Sequence, residues 1–150
     1  MIKTDPQEVE QRLKQFELAC RQKGVKLTHQ RIEIFREVAE ATDHPDTEQI
    51  YQRLKNRLPT LSLDTVYRTL WLLKDLDLLV TLGTSRERTR FDANLKGHHH
   101  QVCTKCGAIS DFYSDDLDKV KLPEPLGMLV EIEATHVEVR GICRNCLKST

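Results

Sequence analysis

Four cysteines in two like-spaced pairs, Cys103-Thr-Lys-Cys106 and Cys143-Arg-Asn-Cys146, restrict what this chain can fold into more than any other feature. Two residues between thiols let both sulfurs turn toward one point. Two such turns supply the four thiolates of a tetrahedral zinc site, with Zn–S near 2.3 Å. A site closed by four sulfurs has no open coordination position, so it staples a fold and does no chemistry. The competing reading is two disulfides or a redox dithiol. A redox site needs only one such pair, and a reducing compartment keeps disulfides open. A reducing, cytoplasmic setting is the expectation here. The first ten residues are polar and acidic, with no secretory leader, and no apolar run is long enough to span a bilayer. The fifth cysteine, Cys20, falls in a helical pattern and reads as a small buried or half-buried residue.

The chain of 150 residues allows one ordinary domain or two small ones, and a small domain gains from a metal staple or a partner subunit. Formal charge is zero, with 23 basic and 23 acidic residues, so no strongly charged partner is implied by the total. Up to Phe91 the chain is slightly basic; beyond it, slightly acidic.

Apolar spacing organises the first part. Val9, Leu13, Phe16 and Cys20 recur at helical intervals, and Gly24 is the candidate cap that ends that helix. Thr28 starts a second helix carrying Ile32, Ile34, Phe35 and Val38, which His44-Pro45 breaks. Asp46 or Thr47 starts a third, with Ile50, Tyr51 and Leu54, ending before Pro59. Ser62 caps a fourth, with Val66, Leu70, Leu73 and Leu76. Its end lacks a glycine, which leaves Asp77 as the candidate for a left-handed cap. Residues 78–82 and 88–91 then read as two strands around a turn at Gly83-Thr-Ser-Arg. Short helices followed by a β-hairpin are the layout of a winged helix-turn-helix, in which the last helix of the turn enters the major groove. In the fourth helix the apolar stripe faces inward and leaves Thr65, Arg68 and Thr69 more exposed. An ordinary amphipathic helix with a solvated arginine reads the same way.

After residue 97 the character changes. Short strands flank the first cysteine pair, at 100–103 and 108–113. A short helix is expected at 115–120. Residues 129–140 alternate apolar and charged, as a half-buried strand does. The domain boundary is expected between Phe91 and Gly97. His98-His99-His100 lies just before the first cysteine pair. On a strand, His98 and His100 share a face and His99 points the other way. Two imidazoles at i and i+2, flanked in sequence by Asp92 and Asp111, make a nitrogen and oxygen donor set suited to Fe(II), Mn(II) or Zn(II). A polar surface cluster of histidines is the alternative.

These segments together resemble the ferric uptake regulator (Fur) superfamily of bacterial metal-dependent repressors, over nearly the whole chain. The resemblance rests on Gly24-Val-Lys-Leu-Thr-His-Gln-Arg31, His44-Pro-Asp-Thr-Glu-Gln-Ile-Tyr51, Leu63-Asp-Thr-Val-Tyr-Arg-Thr-Leu70, Arg90-Phe-Asp92, His98-His-His100 and both cysteine pairs in order. It implies an α+β chain: a winged-helix DNA-binding domain over 1–91, a hinge near 91–97, and a small α/β dimerisation domain over 98–150. It implies a homodimer reading a palindromic operator in double-stranded DNA, with Lys26, Tyr67 and Arg68 at the DNA. It implies structural Zn(II) on Cys103, Cys106, Cys143 and Cys146. Regulatory Fe(II) or Mn(II) would sit on His44, Asp92, His98, His100 and Asp111, so that an ion ligated from both domains fixes the angle between them.

Iron-sensing members usually carry Glu at the positions of Asp92 and Asp111, whereas the peroxide-sensing repressors (PerR) carry Asp at both. The chain therefore looks most like a peroxide sensor, in which Fe(II) and hydrogen peroxide oxidise the ligand histidines matching His44 and His98. That is self-oxidation without turnover, so no enzyme is expected. An iron- or zinc-responsive repressor of the same superfamily is the alternative. Gly97 and His99 depart from the His-His-Asp-His run of many iron sensors, which weakens an additional metal site on His99, Asp118 and His136. Two other classes remain. A metalloenzyme would need an open metal position and a general base, for which no motif is present. A zinc-stapled interaction module would bind one metal per chain.

Overall fold

A computed structural model describes residues 4–82, 88–124, 126–132 and 134–148. The chain forms two compact units, Met1–Leu95 and Lys96–Thr150.

The first unit begins with helix α1 (Pro6–Lys23). Asp5 caps it by accepting the Gln7 N–H, and Pro6 occupies the first turn, where its missing N–H is not needed. Gly24 ends the helix at φ 68°, a left-handed turn that a side chain would strain. Helix α2 (His29–Glu40) is capped by Thr28, and Phe35 stacks on Phe16 with ring centroids 4.7 Å apart. Helix α3 (Thr47–Leu54) starts with a capping box, in which the Asp46 side chain accepts from Gln49 N–H and the Gln49 side chain accepts from Asp46 N–H. Helix α4 (Leu63–Asp75) is capped by Ser62.

The buried face of α4 is Val66, Thr69, Leu70 and Leu73. The expectation that Thr69 is exposed is thus corrected: spacing of three and four from Val66 and Leu73 places it inside the stripe. Past the helix, Asp77 adopts φ 59°, the left-handed cap expected of it. Strands β1 (Val80–Leu82) and β2 (Arg90–Asp92) pair antiparallel, Thr81 opposite Phe91. The turn expected at 83–86 lies outside the described residues. Helices α2, α3 and α4 pack on one another, giving the helix-turn-helix with its two-stranded wing.

The second unit comprises β3 (His99–Cys103), β4 (Ile109–Phe112), a single turn α5 (Asp115–Asp118), β5 (Glu138–Gly141) and α6 (Arg144–Lys148). Its sheet order is β4-β3-β5, with β3 antiparallel to β4 and parallel to β5. The strand expected over 129–140 is shorter than its sequence pattern. Only 138–141 pairs, because β4 holds the other edge of β3 and no strand among the described residues faces 129–137. Apolar members of that pattern stand in solvent: Leu129 is 57% exposed and Val130 fully so.

The units differ in what holds them. Apart from Cys103, every buried apolar residue described lies in the first unit, from Val9 to Ala93. The second unit buries Cys103, His99 and His100 instead. A unit of this size without an apolar core needs another source of stability.

Candidate metal centres

The cysteine cluster is assembled by two turns at neighbouring strand ends. Cys103 closes β3, and Gly107 at φ 76° returns its N–H to the Cys103 carbonyl, which brings Cys106 round. Cys143 follows β5, and Cys146 lies three residues on, one helical turn along α6. Parallel pairing sets Cys103 opposite Gly141, so both knuckles meet at one end of the sheet. One ligand atom from each cysteine lies within 4.8 Å of all the others, and Cys106 Sγ is 3.9 Å from Cys143 Sγ. A tetrahedron with Zn–S bonds of about 2.3 Å has edges of about 3.8 Å. All four are free thiols, which excludes the disulfide reading for this structure.

The electrostatics of the cluster point the same way. Backbone N–H groups of Cys106 and Cys143 aim at the Cys103 sulfur and lower its pKa to about 6; the Cys143 N–H is 3.3 Å from it. Cys146 is pushed up to about 12 by hydrogen bonding to the sulfurs of Cys143 and Cys106. Four thiolates so close repel one another unless a cation is present. Zinc uptake near neutral pH would therefore displace a proton from Cys146.

A second donor set belongs to the same unit. His100 lies directly across the antiparallel pair from Asp111. His98 precedes β3 on the side of His100, and their Nε2 atoms face each other at 3.1 Å. Asp111 Oδ1 is 3.4 Å from His100 Nε2 and 3.6 Å from His98 Nε2. The edges of a coordination polyhedron with bonds of about 2.1 Å run about 3.0 to 3.4 Å; the two separations involving His100 fall in that range, and the His98–Asp111 separation lies just above it. The Lys96 carbonyl can only accept, so His98 Nδ1 carries its proton and leaves Nε2 bare for a ligand.

The first unit contributes a two-residue set. His44 Nε2 is 3.1 Å from Asp92 Oδ2, and both side chains are buried. Asp92 Oδ1 accepts the Asn94 N–H at 2.8 Å. His44 stands at φ 53°, a left-handed conformation unusual outside glycine, immediately before Pro45. Of the five residues expected as one regulatory set, His44 and Asp92 belong to the first unit and His98, His100 and Asp111 to the second.

His99 is occupied elsewhere. Its Nδ1 accepts the Val137 N–H at 3.0 Å, and its Nε2 donates to Asp118 at 2.8 Å. Coordination through either nitrogen would sacrifice one of these bonds. His136 packs its ring against His100 instead, 5.7 Å between centroids. The additional site weighed on His99, Asp118 and His136 is not gathered here. No sequence signal marks this clasp, because Asp118 and Val137 are far from His99 along the chain.

Of the residues expected at DNA, Lys26 is exposed in the loop before α2, where its carbonyl accepts from Arg31 Nη1 at 2.7 Å. Tyr67 and Arg68 are exposed on α4, Arg68 paired with Asp64 at 2.9 Å.

The sequence profile of the ferric uptake regulator family matches residues 22–140. The chain belongs to that family. It is 34% identical over 141 residues to the peroxide-responsive repressor PerR of Staphylococcus epidermidis, covering 92% of each, and 33% identical to that of Staphylococcus aureus over 92% of this chain and 93% of the relative. Among solved structures, the ferric uptake regulator of Helicobacter pylori, described with three functional metal-binding sites, superposes with TM-score 0.72 at 21% identity, over 98% of this chain and 97% of that one. PerR from Streptococcus pyogenes superposes with TM-score 0.52 at 26% identity, over 97% and 95%. These ferric uptake regulator family members are regulators rather than enzymes. No helix described in this chain is long and apolar enough to cross a membrane.

Proposed function

We propose that the chain is a metal-dependent transcriptional repressor that senses hydrogen peroxide. The observation that carries this is the triangle of His98, His100 and Asp111, with an aspartate at both carboxylate positions of the donor set. Identity of 33–34% to peroxide-responsive repressors supports the same reading.

In this reading Zn(II) sits on Cys103, Cys106, Cys143 and Cys146. The regulatory ion, Fe(II) or Mn(II), is shared by His44 and Asp92 with His98, His100 and Asp111. Nitrogen and carboxylate donors suit these ions better than an all-sulfur site does. Ligands drawn from both units make domain orientation depend on occupancy, a population shift set by differential affinity. Bound Fe(II) would supply the electron that turns hydrogen peroxide into an oxidant beside its ligands. His98 and His44 are the residues that gain oxygen. An oxidised imidazole is a poorer ligand, so the metal-held arrangement is lost.

The second unit is the dimerisation domain in this reading. Strand β5 lies at the edge of its sheet with all four residues exposed, and Leu129, Ile132, Ile142 and Leu147 are exposed nearby in sequence. A second copy would cover such surface. The first unit then reads DNA through Lys26, Tyr67 and Arg68, and two-fold symmetry asks for a palindromic operator.

The test is binding to a duplex selected from a random pool by the Mn(II)-loaded protein. Fe(II)-loaded protein should bind it, release it after brief peroxide, and show one added oxygen on His98 or His44 by peptide mass mapping. The Mn(II) form should resist. Release without histidine oxidation would refute peroxide sensing; binding indifferent to either metal would refute the repressor reading.

A further inference from the structure

In the first unit, the segment holding His44 is stitched to the strand holding Asp92. Phe91 N–H donates to the Pro45 carbonyl at 3.1 Å, and Asp46 forms a β-bridge with Arg90. Both ligands of this unit therefore move with one short ladder, residues 44–46 against 90–92. Phe91 alternates with Asp92 along β2, so its ring points away from the ligands and into the core, where it is 1% exposed. There it meets the edge of Trp71, centroids 5.8 Å apart at 82°. Trp71 lies on α4, four residues after Tyr67, and the two rings are 6.2 Å apart. An unbroken aromatic row thus runs from the residue beside Asp92 to an exposed tyrosine of the helix-turn-helix.

We propose that Trp71 is a positioning residue, through which the ladder carrying His44 and Asp92 sets the orientation of Tyr67 for DNA. This rests on the metal-dependent repressor reading above. Phe91 sits in the close-packed core, which has no slack to absorb a shift, so movement of the ladder is passed by steric exclusion to the half-buried Trp71 and from it to Tyr67. The ladder seen here has His44 and Asp92 bonded to each other; turning both to a shared ion would give it, and the row, a second arrangement. Whichever arrangement the ion favours is then favoured at Tyr67.

Trp71 is the only tryptophan of the chain, so it reports on itself. The wild type should shift its emission maximum on Mn(II) addition, with the midpoint of its gain in affinity for the selected duplex. Trp71→Leu should take up Mn(II) within about threefold of wild type yet lose about tenfold or more of that gain. Trp71→Phe, which keeps a ring against Phe91, should recover most of it. It also serves if the leucine variant folds poorly. The proposal is overturned if Trp71→Leu keeps the full gain, if its metal-free affinity falls by the same factor, or if wild-type emission ignores Mn(II). A wild type whose duplex affinity does not respond to Mn(II) would instead bring down the repressor reading, and this proposal with it.

Discussion

Asp111 reaches two imidazoles with a single carboxylate oxygen, and its short side chain sets where that oxygen lies. Asp111→Glu adds one methylene, which pushes the carboxylate past the present triangle. We expect this variant to keep its four-cysteine zinc but to add markedly less oxygen at His98 under peroxide, as read by peptide mass mapping. Unchanged oxidation would count against the role of aspartate here. His99 makes a second argument at this scale. Removing its ring strands the Val137 N–H, whereas Asp118, 47% exposed, can turn to water. His99→Leu should cost about 1–3 kcal/mol in denaturant unfolding of the second unit, and His99→Asn, which retains an acceptor near Nδ1, clearly less. Equal losses would show that the Val137 bond is unimportant. The alternation of His98, His99 and His100 was readable from strand geometry alone, because side-chain direction has period two. The left-handed φ of His44 was not, since it is imposed by tertiary packing around a histidine that sequence propensity does not mark.

Helices were the legible elements. Thr28, Asp46 and Ser62 each cap where a polar side chain precedes an apolar stripe, and each accepts a backbone N–H at the start of its helix; Asp5, not among the expected caps, does the same for α1. Capping is local chemistry and needs no knowledge of the rest of the fold. Asp77 extends the point to a helix end: a left-handed residue is required after α4, and aspartate serves at a cost that glycine avoids. Asp77→Gly should raise stability by about 0.5–1 kcal/mol, seen as a higher thermal midpoint. A lower midpoint would mean that the aspartate side chain contributes more than its backbone strain removes. Residues 129–137 were misread because alternation reports which faces will be buried, not which chain buries them. Strand pairing is non-local, and no strand among the described residues of one copy pairs with this stretch, whose last residue, Val137, bonds to His99 and His100 of β3.

At the scale of the whole molecule, the first unit has an apolar core and the second has thiols and imidazoles. The difference predicts unequal dependence on metal. Cys143→Ser removes one zinc ligand and the Cys143 thiol facing Cys106. We expect it to lose zinc and elute as a monomer in size-exclusion chromatography, while the helices of the first unit keep their circular dichroism signal. A variant that stays dimeric and zinc-loaded would overturn the structural role of the cluster. The cysteine pairs also have a consequence for chain entropy. Between them the polypeptide leaves the sheet after β4 and comes back only at β5, which pairs with β3 over four residues. Closing such an excursion through pairing alone is costly, but the cost grows only with the logarithm of its length, about 0.6 kcal/mol for each doubling. A zinc ion gripping both ends would hold the excursion shut whatever its contour. Insertions and deletions between residues 119 and 136 should therefore be tolerated far better than any change of spacing within either cysteine pair, which leaves that stretch open to variation while the knuckles stay fixed.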